Sequence, residues 1–399
     1  MSKVSTFNTI EPYLKQNLGN LYKKVNENIF TGKNEYLKFD ANGKIKLTTP
    51  KVDKEELYNT AELFSKTKFV PLFEILTAVN GATNFLDTMK HWEIKHIRKK
   101  PEVKDFIAGI IGYGCNIGIQ KIADISRNIN KNELTNIINW YFSIDNLNQA
   151  NDKILEFTDR LELPSLFRNS PKITHTSSDG QKYNIAVESL NANYYFKYFG
   201  KGKGVTVYSF IDESHRLFYS TVINSSEKEA AYVIDGLMYN DVVQSDIHST
   251  DTHGYSEIIF AVSHLLGFSF APRIKNLKKQ KLYSFQKKSE LKNLGYKILP
   301  DKKINTEVIE KNWDDILRFI ATIKLKHTTA SQLLLRLSSY SKQHPLYQAL
   351  KAFGRIIKTI FLLTYIDDLK FRQSIEKQLN KLENANKFAK AVFHGNNQE

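Results

Sequence analysis

Asp251 stands in the stretch DIHSTDTHGYSE, residues 246–257, where a β-branched lead-in (NDVVQSDIHST) gives way to an apolar, helix-like run (SEIIFAVSHLLGF). A carboxylate at such a junction suits a hard divalent cation. Several together suit phosphoryl chemistry, in which two Mg²⁺ ions roughly 4 Å apart flank an in-line attack on phosphorus. That chemistry needs partners for Asp251. Asp179, in THTSSDGQKY, and Asp212, in FIDESHR, are the candidates for a first acid. Asp-Gly is a turn signal and Asp is a common turn former, so residue types alone leave both open. For a third acid, the helical pattern over 371–393 carries an inward stripe of Leu379, Leu382, Asn386, Ala389 and Phe393. Glu383 neighbours that stripe, and Glu376, seven residues earlier, shares its face as the rival.

The elements that must position these acids follow from texture. Residues 1–69 read as helices plus a hairpin around FDANGKIKL, with Asn42-Gly43 as the turn signal. Residues 70–163 recur at three-to-four spacing and read as an all-α region. At Pro164 the pattern changes. KITHTSSDGQKYNIAVESL reads as strand, turn or kink, strand, and GKGVTVYSFIDESHRLFYSTVI as a hairpin. SSEKEAAYVIDGLMY reads as a helix with Ser225 and Ser226 as N-cap candidates, and DVVQSDIHST as a strand. GYSEIIFAVSHLLG is a helix ended by Gly267, and FSFAP is a short strand. The order β-β-β-α-β-α-β, followed by a helix, is that of the RNase H-like fold. It divides the chain into a core over 164–272, a basic helical insertion over 273–368, and a last core helix over 369–399.

Composition bounds the rest. The hydrophobic fraction of 41% describes a globular protein and excludes a disordered one, and the element order above makes it α/β. The N-terminus lacks the apolar segment of a signal peptide, and no uninterrupted apolar run approaches the roughly 20 residues that span a bilayer. The single cysteine, Cys115, allows no internal disulfide and reads as a buried structural thiol in a reducing cytoplasm. From Ala271 to Glu399 there are 26 Lys and Arg against 11 Asp and Glu. That excess equals the net charge of +15 for the whole chain, so the remainder is neutral. A polyanion-facing surface in the C-terminal third is implied, with nucleic acid the default partner.

Five segments, SSDGQ, KYFGKGKGVTVYSFIDE, SSEKEAAYVIDGLMYN, TDTHGYSEIIFAVSHLLGFSFAPRIKNLKKQKLY and LNKLENANKFAKAVF, occur in that order. Together they resemble the transposases of class II (Tn-three type) bacterial transposons, from about Val70 to Tyr283 and again over 378–396. The resemblance implies a DDE transposase whose RNase H-like core is interrupted by a helical insertion before the last acid. Carried over by motif, its catalytic and metal-holding acids fall on Asp179, Asp251 and Glu383, which decides against Asp212. It implies two Mg²⁺ ions, with Mn²⁺ a substitute. The expected reaction is hydrolytic nicking of the transposon 3′ ends, then attack of the freed 3′-hydroxyl on target DNA, giving a replicative cointegrate. Its partners are transposon-end and target DNA in a homodimeric complex, its setting the bacterial cytoplasm and nucleoid. Arg273, Lys275, Lys278, Lys279 and Lys281, five cations in nine residues leaving a strand end near the acids, read as phosphate contacts or as a solvated basic loop, and His253 either contacts the scissile phosphate or caps the following helix. Members of that family are much longer than this chain, with a region expected to bind inverted repeats ahead of the core. Two other readings therefore stand beside a catalytic fragment. One is a non-catalytic DNA-binding remnant that interferes with or assists a full-length transposase; the other is a structural or dimerisation module.

Overall fold

The computed structural model describes residues 6–40, 43, 45–51, 69–92, 101–186, 188–251, 255–339 and 344–395. Its strands, in chain order, are β1 (Leu37–Phe39), β2 (Ile45–Leu47), β3 (His175–Ile185), β4 (Asn193–Tyr194) and β5 (Lys203–Asp212). They continue with β6 (Leu217–Asn224), β7 (Ile247–Thr250), β8 (Ser269–Phe270), β9 (Tyr283–Ser284) and β10 (Lys302–Lys303). β1 and β2 form the expected antiparallel hairpin. Its turn residue Asn42 lies outside the described residues.

The main sheet runs β4-β5-β3-β7-β8, with β6 also paired to β5. β3 is antiparallel to β5 over its whole length and parallel to β7, which is parallel to β8. β3 is one continuous strand, so the turn expected at Asp179-Gly180 is not there; Asp179 pairs with Ser209 mid-strand. The stretch HTSS that begins β3 is polar yet buried on both faces. It is stable there because its hydroxyls have partners. On one face His248 bridges the Oγ atoms of Thr176 and Ser178 at 2.8 Å each, and Ser178 meets the Tyr208 hydroxyl at 2.7 Å. On the other, His175 Nε2 lies 2.7 Å from Ser249 Oγ, which donates to the Ala271 carbonyl. Burial pushes His248 down to about 3 and His175 to about 4, so both are neutral at physiological pH.

The helix Glu257–Leu266 begins at Ser256, whose hydroxyl caps it, and ends at Gly267 in the left-handed conformation, as expected. Its apolar run is buried from Ile258 to Val262. It packs against the long helix Pro345–Asp367, closely enough that a Cβ on Gly354 would lie 1.7 Å from the Glu257 carbonyl oxygen. The segment SSEKEAAYVIDGLMY differs from expectation. It makes one 3₁₀ turn, Glu229–Ala231, then a short helix, Val233–Met238, and neither Ser225 nor Ser226 caps it. DVVQSDIHST is extended as β7 only from Ile247.

The last helix, Leu369–His394, lies across β3 on the His175 face. Its buried side includes Ile375, Gln378, Leu379, Leu382 and Asn386. Ala389, expected to extend that stripe, is exposed. Fully buried Arg372 donates to the Tyr365 and Ile366 carbonyls at 2.7 and 3.0 Å, tying this helix to the end of Pro345–Asp367. The helix Phe7–Phe30 and the helices of 303–366 share one apolar core with the sheet. The helices Leu72–Thr83, Val103–Gly114, Ile119–Ile125, Lys131–Tyr141 and Ile144–Asp159 carry their own apolar clusters around Phe106 and Leu134.

Candidate functional site

The parallel register of β3 and β7 aligns Ser178 with Thr250. The next residue along β3 is Asp179 and the first residue after β7 is Asp251, so the two aspartates come side by side, lining one pocket. The last helix crosses that face. Gln378 Nε2 donates to Ser177 Oγ at 3.1 Å, and two turns later Asn386 Nδ2 donates to Asp179 Oδ2 at 3.2 Å. Glu383, between them, joins Asp179, Asp251, Arg273, Leu379 and Leu382 around a pocket of about 30 Å³.

Arg273 organises this pocket. Its backbone N–H donates to the Thr250 carbonyl at 2.9 Å, which continues the pairing of β8 beside β7. Its guanidinium donates to Asp251 Oδ1 at 3.0 and 3.1 Å, to Glu376 Oε2 at 3.4 Å and to Glu383 Oε1 at 3.5 Å. Expected as a DNA contact, it is here a counter-ion to the acids. The exposed lysines at 275, 278, 279 and 281 do not line this pocket, and Lys278 pairs with Asp40 at 3.2 Å. His253 lies outside the described residues. Asp212 is buried at the end of β5, with Arg216 Nε 2.6 Å from its Oδ2, and does not line the pocket.

Sequence reasoning missed a fourth carboxylate, Glu229. It packs where a side chain on Gly180 would be: a Cβ there would lie 2.3 Å from Glu229 Oε1. The only signal available was a glycine directly after a candidate acid. Asp179, Asp251, Glu383 and Glu229 all open onto a larger cleft of about 1130 Å³, whose cations are Lys182, Lys197, Lys228, Lys387 and Lys390. Burial pushes Asp179 up to about 6; the charges of Asp251 and Glu383 add to this, against hydrogen bonds from Gly180 and Asn386. Burial, then repulsion from Asp179, pushes Glu229 to about 7. A site that strains to hold its negative charge is one that a cation relieves.

Hard oxygen donors from three elements, with a guanidinium already among them, fit a divalent cation in chemistry. Among the described residues, no three His, Cys, Asp or Glu side chains stand close enough to hold one as arranged.

Asp179 gives a pH prediction. Its folded-state value lies above the ordinary one of about 4, so its contribution to stability is complete below pH 4 and is lost as pH rises through 6. In metal-free buffer Asp179→Asn is therefore expected to be more stable than the parent by up to about 3 kcal/mol at pH 8 and equal to it at pH 4. Denaturant midpoints at the two pH values check this, and equal midpoints at pH 8 would refute the burial argument.

The Tn3 transposase DDE domain family matches residues 74–399. The transposase for transposon Tn1546 of Enterococcus faecium is 35% identical over 337 residues, covering 84% of this chain and 34% of that protein. The transposase for Tn2501 of Escherichia coli is 33% identical, covering 80% of this chain and 32% of its own length. That for Tn501 of Pseudomonas aeruginosa is 30% identical, at 84% and 33%. The chain thus spans about a third of the length of the curated relatives it matches.

Proposed function

This chain belongs to the Tn3 transposase DDE domain family, and on that premise we propose that it is a metal-dependent DNA transposase. It nicks the 3′ ends of a transposon and joins them to target DNA in replicative transposition. Asp179, Asp251 and Glu383 are its catalytic acids, and the main sheet is an RNase H-like core. The observation that carries this reading is the pair Asp179, on β3, and Asp251, just past the end of the parallel strand β7, with Glu383 brought to the same pocket by the last helix. The strand order β6-β5-β3-β7-β8, with only the last two parallel to β3, supports the core assignment.

Two Mg²⁺ ions, or Mn²⁺ in their place, would be held by Asp179, Asp251 and Glu383 and would supply Lewis-acid activation of the nucleophile and charge for the leaving oxygen. The chain's own groups do the rest. Asn386 orients Asp179 through Oδ2, and the hydroxyl network under β3 fixes the strand on which that acid stands. Arg273 offsets the mutual repulsion of the acids and offers a guanidinium that can pair with a phosphate of the bound strand. His175 and His248, kept neutral, bring no competing charge beneath the acids. No helix among the described residues is long and apolar enough to cross a membrane. The reading implies action on DNA at the nucleoid, with two copies of the chain, one for each transposon end.

The test is a nicking assay on pre-cut or branched transposon-end DNA with Mg²⁺ or Mn²⁺. A nick at the 3′ end that needs the metal is expected. DNA binding without any metal-dependent nick would instead favour a non-catalytic remnant.

A further inference from the structure

One wall of the large cleft carries Tyr195, Tyr198 and Phe199. After β4 the chain makes a single helical turn, Phe196–Phe199, closed by Gly200 in the left-handed region. Tyr194, Tyr195, Phe196 and Tyr198 are 60, 38, 81 and 50% exposed, a concentration of aromatic surface that water does not favour. The turn is nevertheless fixed. The Phe199 ring lies flat against Gly204 of β5, where a Cβ would come within 2.2 Å of it. Tyr195 and Tyr198 stack on each other at 5.1 Å and 18°. Lys182 sits 5.1 and 4.9 Å from their ring centres, and Lys197 stands 5.1 Å from that of Tyr198.

We propose that this ledge is a stacking platform for unpaired nucleotides of the DNA strand whose phosphate lies at the acids. It rests on the function proposed above for the identity of the polymer. Three observations select that occupant. Tyr195, Tyr198 and Lys197 line the same cleft as Asp179, Asp251 and Glu383, so a strand reaching the acids passes the ledge. Lys228, Lys387 and Lys390 on the facing walls match a phosphate chain. Exposed rings beside cations suit bases with free faces, which a single strand offers and a duplex buries. Cleavage beside unpaired nucleotides would also relieve the acids of having to reach a phosphate held in a closed helix.

The experiment uses the full chain without metal and two probes of equal length, a single-stranded transposon-flank oligonucleotide and its duplex, followed by fluorescence anisotropy. Replacing both tyrosines, Tyr195→Ala with Tyr198→Ala, is expected to weaken single-strand binding about tenfold or more and duplex binding less than twofold. The pair Tyr195→Phe and Tyr198→Phe keeps the rings and is expected to bind as the parent does. Unchanged single-strand affinity in the alanine pair overturns the proposal. So does an equal loss for both probes, or a loss in the phenylalanine pair that matches the alanine pair. The catalytic reading is tested separately. A parent chain that never nicks, with the ring-dependent binding intact, refutes the chemistry and supports the ledge. A chain that nicks with an inert ledge refutes only the ledge.

Discussion

Asp251→Ala is expected to lower metal-dependent nicking at least about 1000-fold, some 4 kcal/mol of transition-state stabilisation, while DNA affinity changes less than about twofold. The reasoning is local. Asp251 follows the last residue of β7, and its carboxylate is about one-third exposed, so it is not part of the apolar core. Its removal takes a carboxylate from the pocket but leaves Arg273 with Glu376 and Glu383. The cleft's lysines, which would carry the affinity, are untouched. Gel-based nicking and anisotropy on one preparation check both halves. A variant that nicks like the parent would remove Asp251 from the site, and one that loses binding and nicking together would make its role structural. The same assay separates the two acids of the last helix: Glu383→Gln is expected to lose activity with Asp251→Ala, and Glu376→Gln to keep it.

Gly354→Ala is expected to cost about 3 kcal/mol or more, beyond the usual range for overpacking, because the obstacle is backbone. The new methyl would meet the Glu257 carbonyl oxygen at 1.7 Å and its carbon at 2.5 Å. A side chain could turn aside, but a helix N-terminus can only move as a unit. The helix that must move begins just beyond Asp251, and Lys358 reaches back from the same long helix to pair with Glu257 at 3.8 Å. Stability and nicking should therefore fall together, read as a denaturant midpoint and a rate. Gly19→Ala, in the helix Phe7–Phe30 with nothing within 4 Å, is the control of opposite sign. It should stabilise by roughly 0.5–1 kcal/mol. A Gly354→Ala protein as stable as the parent would mean that the two helices are not packed this closely.

How legible these features were depended on whether the signal was local. The hairpin β5–β6, the helix ended by Gly267 and the stripe that brings Glu383 inward depend on near neighbours in the chain, and pattern captured them. β3 was harder. HTSSDG has no apolar alternation and carries a turn dipeptide, and only the hydroxyl and imidazole partners supplied by β5 and β7 make it a strand. Glu229 was invisible for a related reason: it looks like an ordinary acid of a first helical turn until Gly180 leaves room for it. Arg273 was noticed for its charge within a basic run. Charge counts say nothing about pairing, and its partners lie 22, 103 and 110 residues away. Asp212 and Asp179 were indistinguishable by residue type, and differ in that Arg216 neutralises only the former.

The last helix also sets a timetable. Asp179 and Asp251 come together on the sheet, but 132 residues separate Asp251 from Glu383. At roughly 5 to 20 residues per second, a ribosome takes roughly 7 to 26 s to cover that interval. Through this time a nascent chain lacks Asn386, which donates to Asp179, and Glu383, which lines the same pocket. A message cut short inside the interval yields a protein without Glu383 and without Asn386.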